Sequence, residues 1–269
     1  RGGIRNDLIV YDRGWQTNGQ CHELLLVINA DRTQADTTWI RSQLEPSGIS
    51  VNCHDKNSVL LALQGPEAAA RLEELAGADL SGLPRFGHRE LKMAGATAFV
   101  GRTGYTGEDG FELLMPQAAG MVLWNQMLAT GVTPCGLGAR DSLRLEAAIL
   151  LNGVDMDANT SPLEVGLGWL VHLEMPKPFI GREVLENQIN KGVTRSLVGL
   201  KLKGNAIPSH GCPVLAAGAS VSSTQVSTVS SGNWAPSLEA GIALALVPTE
   251  FARIGAELRV RIQGKAEPA

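Results

Sequence analysis

"GRTGYTGEDGFEL", residues 101–113, joins an apolar run at 97–101 to another at 111–114. Both runs read as strands, and a third precedes them at 89–93. A parallel crossover needs roughly a dozen residues or more, and the connections between these runs are shorter. The strands therefore pair antiparallel. The loop itself is unusual in content: four glycines, two threonines, one tyrosine and three carboxylates fall within it. A surface turn accounts for the glycines but not for Tyr105 or Glu112.

Working outward, residues 7–11 (DLIVY) and 22–29 (HELLLVIN) read as strands, with Asn18-Gly19 as a hairpin signal between them. Asp31, three residues before Gln34, reads as a capping-box start to a helix carrying Trp39, Ile40 and Leu44. Residues 58–63 (SVLLAL) form a further strand, and Pro66 suits the first turn of a helix over "EAAARLEELAG". Residues 117–129 read as an amphipathic helix, with two more helices at 136–151 and 179–190. From about 193 the texture changes. Short β-type runs (SLVGLKL, PVLAA, STQVSTV, GIALALV, LRVRI) alternate with Gly, Pro and Ser, as in a small antiparallel barrel. Val221, Val226 and Val229 mark the Ser-rich piece as strand rather than disorder.

The expected class is α+β: mostly antiparallel sheets with flanking helices, followed by a small C-terminal β-barrel. The domains are drawn at 1–190, read as two intertwined α+β subdomains, and 191–269. No GxGxxG follows a strand and opens a helix, so a dinucleotide fold is not supported.

The chain has 269 residues, 44% of them hydrophobic, enough for two compact domains. A net charge of −4 lacks the basic footprint of a nucleic-acid binder. No apolar run is long enough to span a bilayer. Cys21, Cys53, Cys135 and Cys212 form no CxxC pair and read as reduced thiols of an intracellular protein. The five histidines show no HxH, HxxxH or HExxH spacing, so no metal site is expected. The chain begins Arg1-Gly2-Gly3 and ends just after a strand-like run, so both ends read as cut from something longer.

Four positions stand out for chemistry. Glu112 lies between Phe111 and Leu113; if those face the core, it faces the other side of the sheet. A carboxylate there suits the paired N–H donors of an amino-pyrimidine edge. Arg140 falls in the first turn of a helix, where the macrodipole disfavours a cation; it reads either as one side of a salt bridge or as a guanidinium facing a ligand. Arg144, one turn on, reads as structural. Asp7 is either a strand-end acid or a carboxylate aimed into a pocket. Asn29 is either a turn residue or a donor and acceptor to one heterocycle edge. Glu108 and Asp109 read as solvated acids of the turn.

With these residues in view, the chain resembles the T-protein (aminomethyltransferase) family of the glycine cleavage system. The resemblance rests on "GGIRNDLIVY" (2–11), "LLVINA" (25–30), "LALQGP" (61–66), "GRTGYTGEDGFEL" (101–113), "GLGARDSLRLEA" (136–147) and "DMDANTSPLEVGLGW" (155–169). The blocks follow the family's order and span most of the chain. The resemblance implies a tetrahydrofolate pocket in which Tyr105 packs near the folate, Glu112 binds the pterin and Arg140 lines the wall. It gives Val27 and Asn29 to the pterin and makes Asp7 the catalytic carboxylate. The family has two acids before L-I-V; here the first is Asn6, and Arg5 stands where an apolar residue is common.

It further implies additional sequence before the G-G block and a closing strand after Ala269. It implies transfer of a one-carbon unit from the lipoylated H protein to tetrahydrofolate as co-substrate, with no metal, nucleic acid or membrane partner. The implied compartment is the bacterial cytoplasm or the mitochondrial matrix. Three alternatives stand beside this reading: an inactive fragment that keeps only the family's core, and two other folate-binding proteins. One is the folate-binding portion of a dimethylglycine or sarcosine oxidoreductase, but no flavin-binding half is present. The other is a folate-binding accessory protein of iron–sulfur assembly or tRNA modification, whose K-G-C-Y/F-x-G motif none of the four cysteines matches.

Overall fold

The computed structural model describes residues 2–16, 19–53, 57–216 and 224–269. The chain divides into two compact units: Leu8–Leu143, and the segment up to Asp7 together with Arg144–Ala269. In the first, β1 (Ile9–Gln16) and β2 (Cys21–Val27) form an antiparallel hairpin with Gln16 opposite Cys21. Asn18 of the predicted turn lies outside the described residues. Helix α1 (Thr33–Leu44) follows a single 3-10 turn, Ala30–Arg32. The expected capping box does not form. Asp31 is drawn inside the 3-10 turn, Arg32 takes the N-cap position, and among the described residues no side chain caps the helix. Thr33 Oγ1 bonds back to the Ala30 carbonyl at 2.9 Å.

β3 (Ser58–Gln64), α2 (Ala68–Ala76), β4 (His88–Met93), β5 (Ala96–Gly101), β6 (Gly110–Pro116) and α3 (Gln117–Ala129) come next. The four strands make one antiparallel sheet in the order β3-β6-β5-β4. Period-two alternation gives it two distinct faces. Phe111, Leu113 and Met115 of β6 join Ala98 and Val100 of β5 in a core closed by Leu72 of α2 and Leu123 of α3. Each of these side chains other than that of Ala98 contributes roughly 1.5–3 kcal/mol by leaving water. α3 departs from the amphipathic expectation. Ala119, Leu123 and Met127 are buried, but Met121, Val122, Trp124 and Leu128 on the outer side are exposed. α4 (Leu137–Glu146) ends earlier than the sequence pattern implied, because Ala148 turns the backbone at φ 54°.

The second unit holds α5 (Arg182–Lys191) and six strands: β7 (Arg195–Lys201), β8 (Pro213–Ala216), β9 (Gln225–Ala235), β10 (Ala240–Pro248), β11 (Leu258–Ile262) and β12 (Lys265–Pro268). β12 was not foreseen: "KAEP" carries no apolar alternation. Val221 of the Ser-rich stretch lies outside the described residues, while Val226 and Val229 fall within β9. The strand order is β12-β11-β8-β9-β10-β7, all antiparallel. The ends of the sheet approach one another where Lys203, just past β7, donates its N–H to the Pro268 carbonyl at 2.9 Å.

"GIALALV" is continuously apolar because β10 is buried on both faces. Ala243, Ala245 and Val247 point inward with Val214, Val229 and Val260. Ile242 and Leu244 point outward and pack with Ile4, Leu145, Leu150, Met156 and Val165. Ile4 is also pinned by its backbone, its N–H donating to the Asp157 and Thr160 carbonyls at 3.1 and 2.9 Å. A side chain at Gly3 would collide with the Ala158 carbonyl. The GGI and DMDANTSP blocks thus pack on each other, and this packing holds the segment that ends at Asp7.

A buried polar cluster supports the same unit. Arg144 and Asp155 pair at 2.7 Å with side chains 3% and 0% exposed. Arg144 also donates to Ser231 Oγ at 2.7 Å; Asp155 accepts from Leu151 N–H at 2.8 Å and from Ser230 Oγ at 2.5 Å. The structural reading of Arg144 is therefore correct. Removing one partner strands a buried charge, so Asp155→Ala is expected to destabilise the chain by about 3–5 kcal/mol. Urea denaturation checks this, and a loss under about 1 kcal/mol contradicts it.

Candidate active site

The loop at 102–109 is built around one amide. Gln64, the last residue of β3, donates from Nε2 to the Thr103 carbonyl at 3.0 Å and the Phe111 carbonyl at 3.3 Å. Its Oε1 accepts from Thr106 Oγ1 at 3.4 Å. Side chains at Gly104 or Gly110 would overlap this amide, which is why both positions are glycine. The neck of the loop is closed by Arg102, whose Nε and Nη2 meet the two oxygens of Asp109 at 2.9 and 2.6 Å. The hydrogen bonds from Arg102 hold the Asp109 carboxyl below the usual range. Asp109, read from sequence as a solvated acid, is a clamp. Gln64 was missed: "LALQGP" stood out as a block, but the role of its glutamine depends on a partner strand distant in sequence.

This frame presents Tyr105. The Arg140 guanidinium lies over its ring, 4.3 Å from the centroid. Arg140 is the fourth residue of α4, so the helix dipole opposes it by about 0.3–1 kcal/mol. A cation–π contact at an exposed site contributes about 0.5–1 kcal/mol, enough to offset that. The guanidinium is stacked on an aromatic face.

Glu112 sits on the sheet face opposite the core, as the alternation required, since Phe111 and Leu113 are fully buried. It is half-buried. Burial pushes its carboxyl above the ordinary range, and the positive charge of Arg140 pulls the other way. Tyr105, Arg140 and Glu112 therefore belong to one electrostatic group.

The β1–β2 hairpin packs over the same face. Tyr11 meets Phe99 and His88 edge-on, with centroids at 5.0 and 5.5 Å, and Arg13 pairs with Glu90 at 2.5 Å. Tyr11 pairs with Leu25, and Ile9 with Val27, so Val27 shares the face that looks onto the sheet. A cavity of about 960 Å³ runs beside it, with Val27, Leu25, Ile40, Leu44, Leu60 and Leu114 on its walls. Of the residues given a site role from sequence, Val27 lines this cavity. Asn29 lies two residues past β2 in extended conformation, its carbonyl accepting from the Arg32 N–H. Asp7 belongs to the other unit, two residues before β1, with its N–H held by Asn6 Oδ1 at 2.9 Å. The first unit thus brings together Tyr105, Arg140 and Glu112 and carries Val27 and Asn29 on and just past one hairpin strand.

All four cysteines are free thiols. Among the described residues, no cluster of His, Cys, Asp or Glu is arranged to hold a metal ion, and no helix is long and apolar enough to cross a membrane.

The Glu112 environment makes a pH prediction. Its ordinary value is 4.5, and the fold raises it, so the folded state binds this proton more tightly than the unfolded chain. The favourable contribution is full below 4.5 and is lost as pH rises through the elevated folded value. Glu112→Gln is therefore expected to raise the melting temperature of the ligand-free chain at pH 7, with the gain vanishing in acid below 4.5. Paired thermal melts across pH check this; a lower melting temperature at pH 7 contradicts it.

Comparison with known proteins places the chain in a family. Residues 1–175 match the GCVT N-terminal domain, and residues 195–269 match the glycine cleavage T-protein C-terminal barrel domain. An aminomethyltransferase of Synechococcus sp. (strain RCC307) is 58% identical over 268 residues, covering 100% of this chain and 72% of that protein. One from Prochlorococcus marinus (strain MIT 9303) is 54% identical over 275 residues, covering 100% of this chain and 72% of that protein. The crystal structure of the glycine cleavage system aminomethyltransferase T from Bartonella henselae superposes with a TM-score of 0.83 at 32% identity, over 99% of this chain and 70% of that one. The α+β core with antiparallel sheets and a C-terminal barrel is the fold of these proteins, and the chain belongs to the glycine cleavage T-protein (aminomethyltransferase) family.

Proposed function

We propose that the chain is a tetrahydrofolate-dependent aminomethyltransferase acting on the aminomethyl-dihydrolipoyl arm of the glycine cleavage H protein. The observation that carries this reading is identity of 58% with an aminomethyltransferase along the whole chain; the Arg140 guanidinium over the Tyr105 ring, with Glu112 in its field, is consistent with it. The bacterial source of the relatives favours the bacterial cytoplasm as its place of action.

In the reaction the transferred carbon gives up its bonds to the amino nitrogen and the lipoyl sulfur. It forms two bonds to folate nitrogens, giving 5,10-methylenetetrahydrofolate. The two folate N–H protons leave with ammonia and with the dihydrolipoyl thiol. Holding the two reactants in register supplies much of the rate, up to about 7–11 kcal/mol in favourable cases.

The chain's residues have separable tasks in this scheme. Glu112 accepts the paired N–H donors of the pterin edge, and the folate restores to its half-buried carboxylate the hydrogen bonds lost by leaving water. Tyr105, stacked under Arg140, makes a flat wall for the folate. Val27 at the end of β2 and Asn29 just past it bound the pterin. Asp7 is the catalytic carboxylate and stabilises the positive charge that develops on the transferred carbon.

The decisive assay is ammonia release from aminomethyl-loaded H protein with and without tetrahydrofolate; folate-dependent release is expected. Folate binding without any release would favour the oxidoreductase-type or accessory-protein reading. Asp7→Ala is expected to lower turnover at least about 100-fold while the folate Kd changes less than about threefold. Unaltered turnover in that variant removes Asp7 from the chemistry.

A further inference from the structure

Tyr11 is 2% exposed, and its hydroxyl has no hydrogen-bond partner among the described residues. Packing explains the ring, which lies edge-on to Phe99 and His88. It does not explain the oxygen, because phenylalanine would fill the same space. The hydroxyl occupies the place where a side chain on Gly101 would lie, so that any Cβ there would collide with it. Gly101 is register-paired with Glu112 across β5 and β6. Side chains of such pairs share a face, with Cβ atoms about 4.5–5.5 Å apart. The phenol therefore stands in as the cross-strand neighbour of Glu112, on the face turned away from the core.

A carboxylate offers about four lone-pair positions on its two oxygens. An edge with two N–H donors uses one on each oxygen and leaves others open to a further donor. Arg140 acts on Glu112 as a charge. We propose that Tyr11 is a positioning residue of the folate site: its hydroxyl donates to the Glu112 carboxylate when the pterin edge is bound, fixing the plane of that carboxylate. The inference rests on the folate reading of Glu112. It explains why a polar atom is buried here without a partner, and why position 101 has no side chain.

Tyr11→Phe removes one oxygen and leaves the ring contacts in place. In the ligand-free chain its melting temperature is expected to equal or exceed that of the wild type, since no bond is lost. The Kd for tetrahydrofolate, measured by titration, is expected to rise about tenfold, while kcat at saturating folate stays within about twofold. In a Glu112→Ala background the same change is expected to have no further effect on Kd. Equal folate affinity in wild type and Tyr11→Phe, with Glu112→Ala weakened, overturns the role of Tyr11 and leaves the folate site standing. A further loss of affinity in the Glu112→Ala background places the hydroxyl on the ligand itself and overturns its action through Glu112. Absence of folate binding by the wild-type chain overturns both readings.

Discussion

Gln64 leaves β3 just before the chain turns toward α2, and its amide reaches the two carbonyls that bracket the glycine-rich loop. A primary amide has two donors and an acceptor, and here all are engaged by Thr103, Phe111 and Thr106. The loop has to come close enough for these bonds, and only glycine permits that approach at positions 104 and 110. Once the loop is held this way, the Arg102–Asp109 clamp closes its neck, and Tyr105 lies under the Arg140 guanidinium. The geometry of the candidate site is therefore set by a residue that is not itself part of the chemistry. It is also a rigid solution, because the loop is bonded at both ends to strands of one sheet.

That sheet divides structural from chemical duties between its faces. The inner face is apolar and closed by helices, and it supplies the burial that holds the unit together. The outer face carries Glu112, Gly101, Phe99 and Glu90, and the β1–β2 hairpin packs over it with Tyr11 and Arg13. A one-residue slip in β6 would exchange Glu112 with Phe111 or Leu113, burying a carboxylate in the core and exposing an apolar side chain. The register that makes the core is therefore also the register that exposes the acid to a ligand.

Much of this was legible in the sequence because it is local. Alternation in F-E-L-L placed Glu112 opposite the core, and short connections dictated antiparallel pairing. The apolar run 241–247 marked a strand, though not that both its faces are buried. What escaped was long-range. Tyr11 reads as one more apolar residue of "DLIVY" until β1 is laid across β5, some ninety residues later. Gln64 reads as a strand end until its partners appear. β12 lacks any apolar pattern and exists only because β11 offers it a backbone to pair with. The capping box at Asp31 failed for a local reason, a 3-10 turn that moved the N-cap by one residue, to Arg32.

The contrast between two polar clusters says where the fold tolerates cost. Arg144, Asp155 and Ser231 are buried and Ser230 is partly buried, and each finds a hydrogen-bonding partner in the others. Such a network rigidifies its surroundings and leaves nothing for a ligand to satisfy. Around Glu112 the opposite holds. A carboxyl is lifted by burial, a phenol hydroxyl is enclosed without an acceptor, and a cation sits in the first turn of a helix. An unmade buried hydrogen bond costs about 1–3 kcal/mol, a large part of the few kcal/mol by which a domain is stable. The apolar core beneath the sheet can absorb that cost. A ligand bearing a row of donors can recover it, and selectivity follows from the same balance: a molecule without those donors leaves the carboxylate and the phenol as they were, and gains only the flat wall of Tyr105.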